Sequence, residues 1–322
     1  MTTTASTAPG APAPVATEGP APARRRRRGA DQALVRYLFV APAAVYVLAF
    51  FGYPIVKNLV MGFQAYDFTT FFTGHAPFIG LENYTATLTD PIFLRALRNT
   101  GLFTIGSIIG QFVIGMGLSL YFRRRFPLSG ALRSMLLLPW LLPMIASAAV
   151  WRWILEQDHG VLNRVLTGIG LIQEPIGWLT TSDTALISVI MVNIWLGIPF
   201  NVALLYSGLQ AIPEELYEAG QLDGATGWKS FWHITLPMLR PVVGVVLLLG
   251  VIYTIKVLDL ILGLTGGGPA NATQTLATRS YEMSFIEFDF GRGAALSNIL
   301  IVIALLFTVV HLRAGARAAE KG

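Results

Sequence analysis

The chain has no cysteine, and charged residues make up only 13% of its 322 positions. Without cysteine there are no disulfides, no Cys-ligated zinc, no iron–sulfur cluster and no thiol catalysis. None of Lys57, Lys229, Lys256 and Lys321 closes a G-x-x-x-x-G-K-[ST] frame, so that nucleotide-binding loop is missing. No serine sits in a G-x-S-x-G frame. His75, His159, His233 and His311 fall in separate loops or at a helix end and make no H-x-x-x-H spacing. No metal site, cofactor or hydrolytic centre is expected.

Apolar residues, in contrast, are abundant. Hydrophobic residues reach 54% and the mean hydropathy is +0.60, too apolar for an ordinary soluble domain. A membrane class follows. The net charge of +5 is read as serving orientation in the membrane, with no nucleic-acid partner.

Residues 1–33 form a basic tail rich in Ala, Pro and Thr, with the run Arg24 to Arg28, and are expected to be disordered and cytoplasmic. The apolar stretch after Arg36 is longer than the core of a cleaved signal peptide, so it reads as an uncleaved anchor. A bilayer core needs about 20 apolar residues in a helix. Six stretches qualify: Tyr37 to Val56, Asn99 to Phe122, Ser134 to Trp151, Thr184 to Pro213, Val242 to Leu264 and Gly293 to Leu312. They lack period-2 alternation, so they are helices rather than barrel strands. The expected fold is an all-α integral membrane protein with a membrane domain over 34–313 and a tail over 314–322.

Lys and Arg then orient the helices. Arg24 to Arg28, Arg36, Arg123, Arg124, Arg125, Arg133, Lys229, Arg240, Arg313, Arg317 and Lys321 fall on one side. Arg95, Arg98, Arg152, Arg164, Arg279 and Arg292 fall on the other. Both termini and the loop from Pro213 to Pro241 are thereby expected in the cytoplasm.

That loop is the longest polar interruption between apolar segments. Pro213 suits a first helical turn, and Glu214, Glu215 and Glu218 favour the positive end of a helix. Gly220 and Gly224 are expected to leave flat ground for another surface. Gly227 to Arg240, with Trp228, Phe231 and Trp232, reads equally well as an interfacial helix, broken or kinked at Pro237.

The string Glu218-Ala219-Gly220, Asp223-Gly224-Ala225, then Ile234-Thr235-Leu236-Pro237 resembles the EAA loop of permease subunits in binding-protein-dependent ABC importers. It departs from the usual pattern at Gly220, where Ala is common. Phe78-Ile79-Gly80-Leu81-Glu82-Asn83-Tyr84 and Leu264-Thr265-Gly266-Gly267-Gly268-Pro269 are similar to the sugar-type branch. The resemblance implies a six-helix type I importer permease fold in a bacterial or archaeal inner membrane. It implies a second permease subunit, two ATPase subunits, an extracytoplasmic solute-binding protein and a sugar substrate. It also implies that Glu218, Ala219, Gly220, Asp223, Gly224, Ile234, Leu236 and Pro237 couple to an ATPase over about 213–237. A non-transporting membrane scaffold is the alternative.

For the substrate path, Gln111, Asn193, Trp195, Asn201 and Tyr206 have the amide, hydroxyl and aromatic chemistry that a sugar needs, although interhelical bonding uses the same residues. Lys256 and Asp259 are the intramembrane charges. At i and i+3 they are expected to meet on one helix face, either neutralising each other or touching substrate.

Overall fold

The computed structural model describes residues 27–124 and 126–319, together with residue 2. It divides into two compact units, Met1–Val56 and Lys57–Gly322. The described secondary structure is helical apart from two isolated bridges, Gln64 with Phe78 and Asp67 with Asp289.

The first unit holds α1 (Arg27–Val47), a π turn (Leu48–Gly52) and the start of α2 (Tyr53–Met61). Residues 27–33, expected as disordered tail, are helical, while Arg24 lies outside the described residues. The π turn has a local cause. Pro54 has no N–H, and its ring crowds the carbonyl four residues back, at Phe50. The backbone widens there and takes up an extra residue.

In the second unit, short helices α3 (Phe68–Thr73) and α4 (Glu82–Leu88) lead to α5 (Phe93–Arg123), a long helix without proline. It is followed by α6 (Ser129–Leu136), α7 (Leu138–Leu141), α8 (Met144–Ile154) and α9 (Val161–Gly168), then by the long α10 (Ser182–Gln210). The loop helix α11 (Glu214–Leu222) precedes α12 (Trp228–Ser230), a second π turn (Phe231–Thr235) and α13 (Leu236–Ile255). The chain closes with α14 (Asp259–Leu264), α15 (Leu276–Phe285) and α16 (Phe290–Ala319). The tail expected from 314 is thus helical as far as Ala319.

Five helices are long and apolar enough to cross a membrane, and the α6–α7 segment with α8 makes a sixth candidate bent by 100°. The third stretch is therefore not one straight span. Leu142 precedes Pro143, which disfavours the helical region there, and Leu142 adopts ψ 138. The chain turns at that point.

The fifth stretch also differs from expectation. It runs from Trp228 to Ile255, so it begins earlier and stops before Lys256. Pro237 does not break it. The residue four before Pro237 is His233, the middle of the second π turn, and the widened turn relieves the clash without ending the helix.

Helix α5 lies along α10 because glycine lets them approach. Ile190 sits over Gly106, Ile194 over Gly110 and Asn201 over Gly115, the small-residue spacing that favours close packing in lipid. Phe103, Val189, Val192, Leu196, Leu260 and Ile261 join α5, α10 and α14 in one buried cluster. A second cluster, Met116, Leu205, Leu209, Ile212, Leu239 and Val246, fills the α11 end.

At the opposite end, Asn99 of α5 donates to the carbonyls of Asn271, Ala272 and Gln274 at 3.2, 3.1 and 2.9 Å. This fixes the glycine-rich loop before α15. Beside it lies a charge network that the sequence reading did not single out. Arg279 bonds Asp90 at 2.9 Å, Glu282 at 3.0 Å and also Glu287, and Arg292 reaches Asp90 at 3.4 Å. Burial pushes the Asp90 carboxyl up, but the Ile92 N–H and the Arg279 and Arg292 guanidiniums outweigh it and hold it below its ordinary value.

Candidate coupling loop and transmembrane cavity

Helix α11 is preceded by Pro213 at its N-cap, carries Glu214 and Glu215 in its first turn, and is followed by Asp223 at its C-cap. Its end is a Schellman stop. Gly224 has φ +76, its N–H donates to Gln221 at 3.0 Å, and the Ala225 N–H donates to Gly220 at 2.7 Å. This is the 5→2 and 6→1 pair of that motif. The string Asp223-Gly224-Ala225 thus encodes a helix terminus.

The structure separates the loop residues by direction. Glu218, Ala219, Asp223 and Gly224 are exposed, whereas Gly220, Ile234, Leu236 and Pro237 are half-buried. Gly220 does not offer open ground as expected. A Cβ there would lie 2.5 Å from Ile234 Cδ1, while nothing lies within 4 Å of one at Gly224. Gly220 is a socket for Ile234, so the departure from Ala matches a large neighbour within the loop.

Two further contacts seat the loop. The Tyr217 hydroxyl shares a hydrogen bond of 3.0 Å with Thr235, and the Arg123 guanidinium lies 3.9 Å over the Tyr217 ring. Trp228, Phe231 and Trp232 pack on one another at 5.4 to 5.6 Å between ring centroids. Phe231 and Tyr217 both rest on the second buried cluster.

Above this end, a cavity of about 610 Å³ opens between α5, α7, α8, α10 and α13. Gln111, Asn193, Lys256 and Asp259 all line it, as do Trp140, Phe200, Tyr253 and Thr254, which the sequence reading missed. Trp140 and Phe200 are 6.0 Å apart, and Phe200 and Tyr253 are 5.9 Å apart. The rings form an aromatic wall. Gln111 donates to the Asn193 carbonyl at 3.0 Å. Asn193 is 4% exposed, and its Nδ2 has no hydrogen-bond partner among the described residues. A buried donor left unpaired beside a cavity is a group that a hydrogen-bond acceptor bound there would satisfy.

Other candidates lie elsewhere. Trp195 packs on Trp151 at 5.4 Å, away from the cavity lining. Asn201 donates to Gly197 at 3.0 Å within α10. Tyr206 accepts from Gln210 at 2.9 Å, and its ring lies 4.3 Å from Arg133. None of the three is among the residues that line this cavity. Lys256 and Asp259 reach the cavity but do not share a helix, because α13 ends at Ile255 and Asp259 opens α14. They make no ion pair among the described residues, and Lys256 Nζ lies 5.4 Å from the Tyr253 ring. The histidines also differ from expectation. His233 lies in the second π turn, and His311 lies inside α16, bonded to the Gly244 carbonyl at 3.0 Å. Among the described residues no three His, Asp or Glu groups come together as metal ligands.

Comparison with known proteins adds to this geometry. A family model described as "Binding-protein-dependent transport system inner membrane component" matches residues 111–317. The trehalose/maltose transport system permease protein MalF of Thermococcus litoralis is 34% identical over 284 residues, covering 88% of this chain and 94% of the relative. The diacetylchitobiose uptake system permease protein DasB of Streptomyces coelicolor is 31% identical over 295 residues, covering 90% and 89%. A bacterial ABC transporter that imports the acidic polysaccharide alginate has a chain of the same fold, with a TM-score of 0.78, 23% identity and coverage of 91% and 99%.

Proposed function

Because the chain belongs to the family of binding-protein-dependent transport system inner membrane components, we propose that it forms half of the membrane channel of an ATP-driven sugar or oligosaccharide importer. It works with a second permease, two ATPase subunits and an extracytoplasmic solute-binding protein. The positive-inside distribution of Lys and Arg supports an orientation with both termini and α11 in the cytoplasm. The exposed apolar faces of its helices, such as Ile105, Ile109 and Val113 on α5, contact lipid.

One observation carries this reading. Helix α11, which exposes Glu218, Ala219, Asp223 and Gly224, is fastened through Tyr217 to α5 and to the residue that precedes α13, two of the helices that wall the cavity. A motor gripping α11 moves the cavity walls. ATP binding changes the spacing of the ATPases, the two α11 helices follow, and the cavity opens alternately to either side. The difference between the two states resides in the ATPase dimer, as a ligand-driven switch requires. Within the cavity, Trp140, Phe200 and Tyr253 offer apolar faces to sugar rings, and Asn193 offers a donor to a hydroxyl or ring oxygen.

The test is reconstitution in lipid nanodiscs with the partner permease, the ATPase and the binding protein. Maltose, trehalose and diacetylchitobiose serve as probes. Solute-dependent ATP hydrolysis supports the importer, whereas stable ATPase binding with no solute-dependent turnover for any probe favours the scaffold.

A further inference from the structure

Tyr217 is a side chain whose two chemical faces go to two different membrane helices. Its ring lies under the Arg123 guanidinium, 3.9 Å from the centroid, at the last turn of α5. Its hydroxyl bonds Thr235, which immediately precedes α13. Arg123 has no carboxylate within ion-pair distance among the described residues, so the aromatic face is its one specific contact there. Arginine suits the role, because its planar and weakly hydrated fork stacks on a ring where lysine does not.

Both recipient helices lead to the cavity. Gln111 stands twelve residues up α5 from Arg123, about 18 Å along the axis, and no proline interrupts α5 on the way. Gly250, Tyr253 and Thr254 stand on α13. We propose that Tyr217 is the positioning residue that gears α11 to the cavity, with the ring driving α5 and the hydroxyl driving α13. The proposal rests on the importer reading for the source of motion, while the mechanical link itself does not depend on it.

The absence of cysteine in the natural sequence makes site-directed spin labelling direct. In the full chain in nanodiscs, labels at Val113→Cys and Leu222→Cys, which are 61% and 91% exposed, report on α5 against α11. Arg123→Gln is expected to widen the distance distribution about twofold, and Tyr217→Leu at least as much. Adding Arg123→Gln to Tyr217→Leu is expected to change nothing further, because the same link is already gone. An independent, additive effect of the two substitutions overturns the ring link, and so does an unchanged width in either.

With the partner permease and ATPase present, trapping with ATP and vanadate is expected to shift a second pair, Val113→Cys with Val245→Cys on α13. Tyr217→Leu cuts the shifted fraction about fivefold, while Tyr217→Phe, which keeps the ring, loses about twofold. No shift in the unsubstituted complex sinks the importer reading. A normal shift in Tyr217→Leu sinks the gearing alone.

Discussion

At the scale of single residues, Asn193 shows how stability and function separate. Its Nδ2 is buried without a protein partner among the described residues, a cost to the fold that a bound acceptor offsets. Asn193→Leu is therefore expected to leave the melting temperature unchanged or raised. It should increase the solute concentration for half-maximal uptake by about fivefold, the equivalent of one neutral hydrogen bond of roughly 1 kcal/mol. A variant that melts lower and transports normally would make Asn193 a packing residue. Gly220 gives a second test. Alanine there gains about 1 kcal/mol of helix propensity but meets Ile234 Cδ1. Gly220→Ala alone should be close to neutral by thermal melting, and Gly220→Ala with Ile234→Val should be more stable than either the natural chain or the single variant. Gly224 is a poorer probe of docking. Any side chain at φ +76 strains the turn, so a bulky replacement loses the helix stop before it reports on a partner. Glu218 or Asp223, which are exposed and leave the turn geometry alone, are the better positions.

At the scale of elements, the two π turns carry the same signature, each centred four residues before a proline. If proline causes the widening, Pro237→Ala restores a donor and removes the ring clash. The segment Phe231–Thr235 should then tighten toward α-helix. Amide hydrogen exchange over residues 231–236 is expected to slow several-fold, with exchange along α10 unchanged as the control. Tightening also rotates α12 relative to α13 by roughly 100°, one residue of helical turn, so Pro237→Ala should impair solute-coupled ATP hydrolysis even where assembly is normal. Proline also explains why span limits were read only in part. Apolar run length located the second, fourth and sixth stretches to within several residues at each end, since their helices run unbroken, α10 even through Pro199. It did not reveal the 100° bend at Leu142 and Pro143, because hydropathy is indifferent to backbone direction. The end of α13 at Ile255 was missed for the same reason, and with it the expectation of a Lys256–Asp259 pair on one face.

At the scale of the molecule, the charge network around Arg279 ties the approach to α5, helix α15 and the start of α16 together at the end opposite α11. Removing the central charge leaves Glu282 and Glu287 without their ion-pair partner and Asp90 with Arg292 alone. Arg279→Gln should therefore cost about 3 kcal/mol, more than Asp90→Asn, which leaves Arg279 with Glu282 and Glu287. Thermal unfolding in detergent at neutral pH ranks the two, and the reverse order would mean that Asp90 holds the network. The pH dependence has a definite sign. The Asp90 value is lowered in the folded chain from 3.8, so its contribution is complete above the unfolded value and fades as pH falls through the folded one. The melting temperature should drop below about pH 4, and the Asp90 share of that drop should vanish in Asp90→Asn.

Composition and spacing determined the membrane class, the all-helical fold, the number of candidate spans and the position of the polar loop that holds α11, because those depend on apolar length and on local turn chemistry. The Asp223-Gly224-Ala225 stop is legible in the same way, since a left-handed residue after a helix favours glycine. The tertiary structure decided which polar residues face the cavity. Gln111 and Asn193 meet there, while Trp195, Asn201 and Tyr206, of the same chemical types, pack elsewhere. It also decided that Trp140, Phe200 and Tyr253 share a wall, that Ile234 fills Gly220, and that Arg123 finds Tyr217 across more than ninety positions of sequence. These contacts join residues far apart in the chain, and a hydropathy pattern carries no information about which face of one helix meets which face of another.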